Sequence, residues 1–495
     1  MNTGLSKRNL WAYPVGSVGR DMAVGMFTGY LLTYVLFTKS LTGAQFASLS
    51  VIMMAARVFD AFNDPIMGNI IEATRTRFGK FKPWIAIGCV LSIVVIILSF
   101  SNPFQGWTYV AVFGVLYFIY SIVFTMNDIA YWGMVPALAR QAQDRNRLTS
   151  RTVFFAGVGQ FLAGVIVPTF TAGSMVIGGN AITAYRVVAI GVCSLFFVFQ
   201  LLTVLLVREE IPDQTEAEAV GLGKIFRVIR GNDQLVWGGI CFLIFSVGQL
   251  LLGNGLSVSY LYFSFGYNGL LLSIFSILGN LAGAVLMVRF AAMSDRYSRN
   301  QLMKGGTWMS VAGYLAMLAV GLAVPSSFLA VKFSLLTLSN LFAFLGQTLV
   351  YLLWMICIAN TVEYNEWKTG RREEGIIFSV RPFMTKLAGA VAQFLVMMIY
   401  LVIGVRSVTN GISEWENAAS AGKCTIEEKV LQIESLLNGV PEAKTNGLLV
   451  CMTILPVLLL LAAYGIYRKR FVITEEFYEK MIKEIAEKQS EGRTE

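Results

Sequence analysis

Two carboxylates, Asp60 and Asp64, stand four residues apart in Asp60-Ala61-Phe62-Asn63-Asp64-Pro65, inside a long apolar run. On a helix they share one face, one turn from each other. If the run crosses a membrane, each costs roughly 2.5–3.5 kcal/mol at the centre. They also repel unless a proton or cation intervenes. Oxygen ligands suit a hard cation. Asn63 and Thr125 offer neutral oxygens, and Pro65 frees a carbonyl one turn back. A second pair, Asp128 and Trp132, is also one turn apart. An acid that accepts hydroxyl hydrogens beside an indole that covers a C–H face is one way to hold a sugar. The same spacing also suits an aromatic at a helix–helix contact, and spacing alone leaves both open. Arg20, Asp21, Arg57, Arg381 and Lys386 lie in apolar runs as well, with Glu363 at the inner end of another. Their mixed signs point to mutual pairing, either as plain interhelical salt bridges or around a solvated cavity.

Several chemistries are excluded. The 495 residues contain no histidine, which removes His relays, His-based zinc sites and Ser-His-Asp triads. The six cysteines show no metal or disulfide spacing. No glycine loop suited to phosphate is present. The chain is not expected to be an enzyme, and no cofactor is expected.

The elements that must position these residues are membrane helices. Hydrophobic residues make up 56% of the chain and charged ones only 14%, with a mean hydropathy of +0.64. Apolar runs near or above the ~20 residues needed to span fall at 11–38, 43–73, 83–101, 107–136, 152–173, 184–207, 234–264, 268–291, 302–323, 333–362, 375–405 and 446–467. This predicts an all-α membrane protein of twelve transmembrane helices, in two pseudo-symmetric six-helix bundles. No cleavable signal is expected before the first run. Most of the 39 Lys and Arg fall in alternate connections, which places both termini in the cytoplasm of a cell-membrane protein. The net charge of +9 therefore reflects topology, not nucleic-acid binding. The expected organisation is an N-terminal bundle over 1–207, a cytoplasmic linker over 208–233, a C-terminal bundle over 234–467 and a cytoplasmic tail over 468–495. An outer loop spans 406–445, with a small surface helix near 426–437. The tail alternates Glu and Lys and suggests a solvated or membrane-surface helix. Arg77-Phe78-Gly79-Lys80 after the second run is echoed by Arg296-Tyr297-Ser298-Arg299 after the eighth, which supports two related halves.

The segment from Ala56 to Gly68, followed by Thr74-Arg75-Thr76-Arg77-Phe78-Gly79-Lys80-Phe81-Lys82-Pro83-Trp84, resembles the signature of the glycoside–pentoside–hexuronide:cation symporters, the melibiose-permease family of the major facilitator superfamily. Gly19-Arg20-Asp21, Thr125-Met126-Asn127-Asp128-Ile129-Ala130-Tyr131-Trp132, Glu363 to Gly370 and Lys386 are similar to further family segments. The likeness runs over about residues 10–405 and resumes in the last run.

That resemblance implies cation-coupled sugar symport by alternating access. It implies a cation site at Asp60 and Asp64, with Thr125 and Asn63 nearby and Lys386 close, and sugar contacts from Arg20, Asp21, Asp128 and Trp132. Na+ is the first expectation for the coupling ion, with H+ or Li+ as alternatives. The expected partners are a small-molecule sugar, a monovalent cation and the lipid bilayer, with the protein a monomer. Phe124 replaces a tyrosine of the melibiose-permease branch, Val153 replaces an arginine with Arg151 two residues away, and Arg381-Pro382 replaces Gln-Thr. These departures turn attention from melibiose itself and leave a hexuronide, a pentoside or a non-sugar amphipath as alternative substrates. Arg20, Arg151 and Arg381 are candidates to receive a hexuronide carboxylate.

Overall fold

The computed structural model describes residues 6–139, 141–209 and 222–491. Residues 210–221 of the expected linker and Arg140 of an expected basic loop lie outside the described residues. The described elements are helices: α1 Lys7–Thr38, α2 Gly43–Ala73, α3 Lys82–Phe100, α4 Gly106–Leu138, α5 Ala142–Thr171, α6 Ala181–Leu206, α7 Leu222–Gly231, α8 Asp233–Leu251, α9 Ser257–Phe265, α10 Gly269–Ser294, α11 Arg299–Ala323, α12 Leu329–Thr369, α13 Glu374–Ile403, α14 Arg406–Ser420, α15 Ile426–Asn438, α16 Glu442–Arg470 and α17 Glu475–Glu491, with short helical turns between some of them. Among the described residues eleven helices are long and apolar enough to cross a membrane, and twelve when the bent α2 is included.

The helices are apolar on the outside. On α3, Ile87, Val90, Leu91, Val94 and Leu98 are exposed along one stripe, while Gly88, Ser92 and Ser99 are buried. A stripe of that kind faces lipid, where every backbone group must already be bonded within its helix. α2 bends by 41° between Asp60 and Asn63. Pro65 accounts for this, because its ring clashes with the carbonyl four residues back and its nitrogen donates no bond. The bend falls between the two carboxylates. The run expected at 234–264 is α8 and α9 joined by a π-turn over Leu252–Leu256, which contains Gly253 and Gly255.

The chain forms two compact units. The first joins Met1–Glu218 with Leu261–Ile277 and Met397–Lys444; the second holds Ala219–Tyr260, Leu278–Val396 and Thr445–Glu495. The expected outer loop 406–445 is a helical hairpin, α14 and α15, which groups with the first unit although its sequence neighbours lie in the C-terminal half.

Each unit has a carboxylate that caps its third long helix. In the first, Glu209 just past α6 accepts from the Lys80 amide at 2.8 Å and the Phe81 amide at 3.2 Å. In the second, Glu475 just past α16 accepts from the Arg299 amide at 2.7 Å, at the start of α11. Both satisfy orphan donors at a helix N-terminus, where negative charge is favoured. The two basic turns noted in the sequence are thus anchored alike. Gly79 is required in the first of them. Its φ is +104°, and a Cβ there runs into the Glu209 carboxylate. Gly79→Ala is expected to lower the melting midpoint of the detergent-purified protein by a few degrees, consistent with a strain of about 1–2 kcal/mol plus the clash. Glu209→Gln, which keeps an acceptor oxygen, is expected to cost less than Glu209→Ala.

Two segments beyond the expected spans differ from expectation. Glu363–Thr369 continues α12 and is not a loop; the helix ends only at the left-handed Gly370. Lys368 and Tyr364 on this extension bond to Asp233 at 2.6 and 3.1 Å. The tail helix α17 packs under α12 and is not simply solvated: Met481 is buried, and Trp367 Nε1 donates to Glu484 at 2.6 Å.

Candidate cation and sugar site

α1 carries the first charged pair between α5 and α6. A Cβ on Gly19 falls 2.7 Å from the Leu195 carbonyl on α6, and one on Gly159 of α5 enters the Val18 carbonyl. Small residues let backbones approach closely in membranes. Here they sink Arg20 into the bundle, its side chain 4% exposed. Arg20 Nη1 donates to Asp128 Oδ1 of α4 at 2.7 Å, and Nε and Nη2 reach Asp21 Oδ2 at 3.1 and 3.0 Å. Its guanidinium carbon lies 4.9 Å from the Tyr131 ring centre and 5.3 Å from that of Trp132. Every Arg20 nitrogen is engaged by an acid. The triad of Arg20, Asp21 and Asp128 carries one surplus negative charge, and Asp128 is its more open member, with a side chain 34% exposed against 13% for Asp21.

About two turns before Arg20 on α1, Tyr13 stacks on Tyr131 of α4 at 4.5 Å, and each hydroxyl donates to the other's main-chain carbonyl oxygen. This staple fixes α1 against α4. Asn127 points the other way, donating to the Ile85 carbonyl at 2.9 Å and to Gln200 at 3.3 Å. It locks α4 against α3 and α6.

The acidic pair of α2 meets two hydroxyls of α4. Asp64 Oδ1 accepts from Thr125 Oγ1 at 3.1 Å, and Asp60 Oδ1 accepts from Ser121 Oγ. Asp60 Oδ2 also accepts from Arg57 at 3.4 Å. α2 and α4 run in the same direction, so two i, i+4 pairs stay in register and form two oxygen-bearing rungs. Asn63 is buried beside them, and its Nδ2 has no hydrogen-bond partner. Among the described residues no three or more Asp, Glu or Cys converge as a metal centre. Any cation held here therefore relies on the two carboxylates with neutral oxygens.

Thr125 is three residues from Asp128, so the acidic rungs and the Arg20 triad are neighbours along α4. Phe124 ends an aromatic ladder on the same helix: its ring lies 5.4 Å from Tyr120, which lies 3.6 Å from Phe27. Arg151 is held elsewhere. Its guanidinium sits 4.6 Å over the Trp11 ring, nine residues before Arg20 and roughly 13 Å away along α1. Lys386 and Arg381 lie on α13 in the second unit, Lys386 half-buried and Arg381 exposed.

Ser121 and Tyr131 escaped the sequence reading. Ser121 had a signal, since it precedes Thr125 by the same four residues that separate Asp60 and Asp64. Tyr131 had none, because an aromatic on an apolar helix carries no mark of its partner.

The sequence pattern of the family described as "MFS/sugar transport protein" matches residues 12–473. The chain is 26% identical over 490 residues to the raffinose carrier protein of Pediococcus pentosaceus, covering 96% of this chain and 70% of that one. It is 25% identical over 493 residues to the lactose permease of Lactobacillus delbrueckii subsp. bulgaricus, covering 96% and 72%. A glucuronide carrier protein homolog of Escherichia coli is 25% identical over 403 residues, covering 79% and 82%. The crystal structure of a D-xylose-proton symporter shares the fold, with a TM-score of 0.56 at 16% identity over 88% of this chain and 98% of that one. These relatives are transporters, not enzymes. The chain belongs to the MFS/sugar transport protein family, as a cation-coupled sugar symporter of the glycoside–pentoside–hexuronide group.

Proposed function

We propose that the protein carries a neutral glycoside into the cell together with sodium. It does so as a monomer in the cytoplasmic membrane with both termini inside. The observation that carries this reading is the pair of rungs, Asp60 with Ser121 and Asp64 with Thr125, set beside the Arg20–Asp128 bridge on one helix. Two carboxylates and two hydroxyls supply the hard oxygens that a small monovalent ion uses. The Asn63 amide, turned by half a rotation, adds a fifth. On the sugar side, Asp128 accepts substrate hydroxyls and Trp132 covers the ring face. Coupling is reciprocal: sodium raises sugar affinity by the factor with which sugar raises sodium affinity. The two halves then alternate access to the site.

A neutral substrate is favoured over a hexuronide because Arg20 is already shared by two acids, and the triad's surplus negative charge repels a carboxylate. The names of the raffinose carrier and the lactose permease agree with a neutral oligosaccharide. Uptake by inverted-gradient vesicles tests the ion. At fixed pH, a sodium gradient is expected to drive accumulation of a neutral galactoside, and lithium to replace it in part. No response to sodium, with collapse by a protonophore, assigns the coupling to protons instead. In the same vesicles, raffinose and lactose are expected to compete and glucuronides not to.

A further inference from the structure

The hairpin of α14 and α15 lies between the last two membrane helices in sequence, yet it seats on the outer turns of the N-terminal helices. Asn410 brackets Leu41, donating to its carbonyl at 3.1 Å and accepting from its amide at 3.3 Å. Asn417 donates to the Thr38 carbonyl at 2.9 Å. Glu416 and Lys429 pair at 3.2 Å within the hairpin, their side chains 0% and 4% exposed. Each also reaches the turn before α6: Glu416 accepts from the Ala181 amide at 2.6 Å, and Lys429 donates to the Gly179 carbonyl at 2.7 Å. Burial pushes the Glu416 carboxyl up, and Lys429 and the Ala181 amide pull it back.

These contacts share one character. They run from hairpin side chains to backbone groups at two outer turns, and water can replace each of them. The ion pair is dry only while the hairpin is seated. Burying two charges costs much of what their attraction returns, so the seat is held without being irreversible. Both tethers are short. Gly404, at φ +71°, and Val405 join α13 to α14, and Gly439 to Pro441 join α15 to α16. α13 and α16 run on into the second unit. Residues 397–403 of α13 and 442–444 of α16 group with the hairpin, so both tethers lie within the first unit and a movement of the rest of α13 and α16 is passed to the hairpin through them.

We propose that the α14–α15 hairpin is an outer latch, seated on the α1–α2 and α5–α6 turns in one stage of the transport cycle and released in another. This rests on alternating-access transport and not on the choice of sugar or cation.

The test uses the Ser40 and Ser413 hydroxyls, whose oxygens lie 3.4 Å apart across the seat. The full-length Ser40→Cys, Ser413→Cys pair is made with Cys424→Ser, because Cys424 is the native cysteine of this loop. Copper phenanthroline is expected to form the disulfide, seen as a mass loss in the purified protein, and to reduce raffinose uptake at least tenfold. Dithiothreitol is expected to restore it. Binding of raffinose to the cross-linked protein in detergent is expected to persist, which separates a locked cycle from a damaged site. Cross-linked protein that transports at the reduced rate overturns the latch, and so does a pair that never cross-links. As a second measurement, Lys429→Gln in the Ser40→Cys, Cys424→Ser background is expected to speed labelling by an impermeant maleimide at least threefold; unchanged labelling counts against release. Reduced protein that never transports raffinose indicts the substrate reading and not the latch.

Discussion

Vesicles carrying Asp64→Cys are expected to equilibrate the sugar and accumulate none of it. One charge crossing with the sugar gains about 2.3 kcal/mol per 100 mV. That supports roughly fiftyfold accumulation, so the ratio of inner to outer sugar should fall from tens to one. Asp60→Cys should do the same by a harsher route. Asp60 holds Arg57 at 3.4 Å and the Ser121 hydroxyl, and removing it leaves a largely buried guanidinium without that partner. Breaking such a pair costs about 3–5 kcal/mol, so Asp60→Cys is expected also to lower thermal stability where Asp64→Cys does so less. The hydroxyl variants Ser121→Ala and Thr125→Val isolate the neutral ligands. Each should raise the half-saturating sodium concentration about five- to tenfold, matching a hydrogen-bonding ligand worth about 1 kcal/mol, with concentrative uptake retained. Accumulation that survives both aspartate changes rules out this site as the coupling site.

The second large effect is at Asp128. Asp128→Asn replaces the open charged acceptor proposed for sugar hydroxyls with a single neutral one and weakens the 2.7 Å bridge to Arg20. A hydrogen bond to a charged group contributes about 1.5–3 kcal/mol. Binding of a neutral galactoside should therefore weaken at least tenfold. The same change cancels the surplus negative charge of the triad and releases one arm of Arg20. Glucuronides, expected to be inert against the native protein, should then compete. Equilibrium binding to purified protein, with both sugar classes, reads both outcomes. A variant that loses the neutral sugar without gaining any response to glucuronides shows that the triad's charge does not set the choice between them.

Much of this was legible in the residues because it is local or costly. Charges at membrane depth are expensive enough to stand out, so Arg20, Asp21, Asp60, Asp64 and Asp128 announced themselves. The i, i+4 spacing put Asp60 and Asp64 on one face, and the apolar runs marked most spans to within a few residues, although α5 begins ten residues before its run and α12 continues seven beyond its own. What stayed hidden depends on contacts distant in sequence. Nothing near Glu209 says that it caps a turn 129 residues earlier. Nothing in residues 406–445 shows that the hairpin sits on the first unit. The helical extension to Thr369 was missed because the apolar run ends at 362, whereas Tyr364 and Lys368 on the extension bond to Asp233. Ser121 was the avoidable miss: a periodicity applied to one helix of a parallel pair applies to its neighbour too.

α4 works as a ruler. Ser121, Thr125, Asp128 and Trp132 are graduations at four, three and four residues; the first two meet Asp60 and Asp64, and the last two meet Arg20. A side chain on this helix can be exchanged without disturbing the others, so specificity can drift one graduation at a time, as Phe124 beside an intact Thr125 illustrates. A change in length cannot be absorbed in the same way. One residue inserted between Ser121 and Asp128 turns everything beyond it by about 100° and shifts it by about 1.5 Å. That would uncouple the ion from the sugar in one step. Grafting between relatives is therefore best done with α4 taken whole, from the turn before Gly106 to the turn after Leu138.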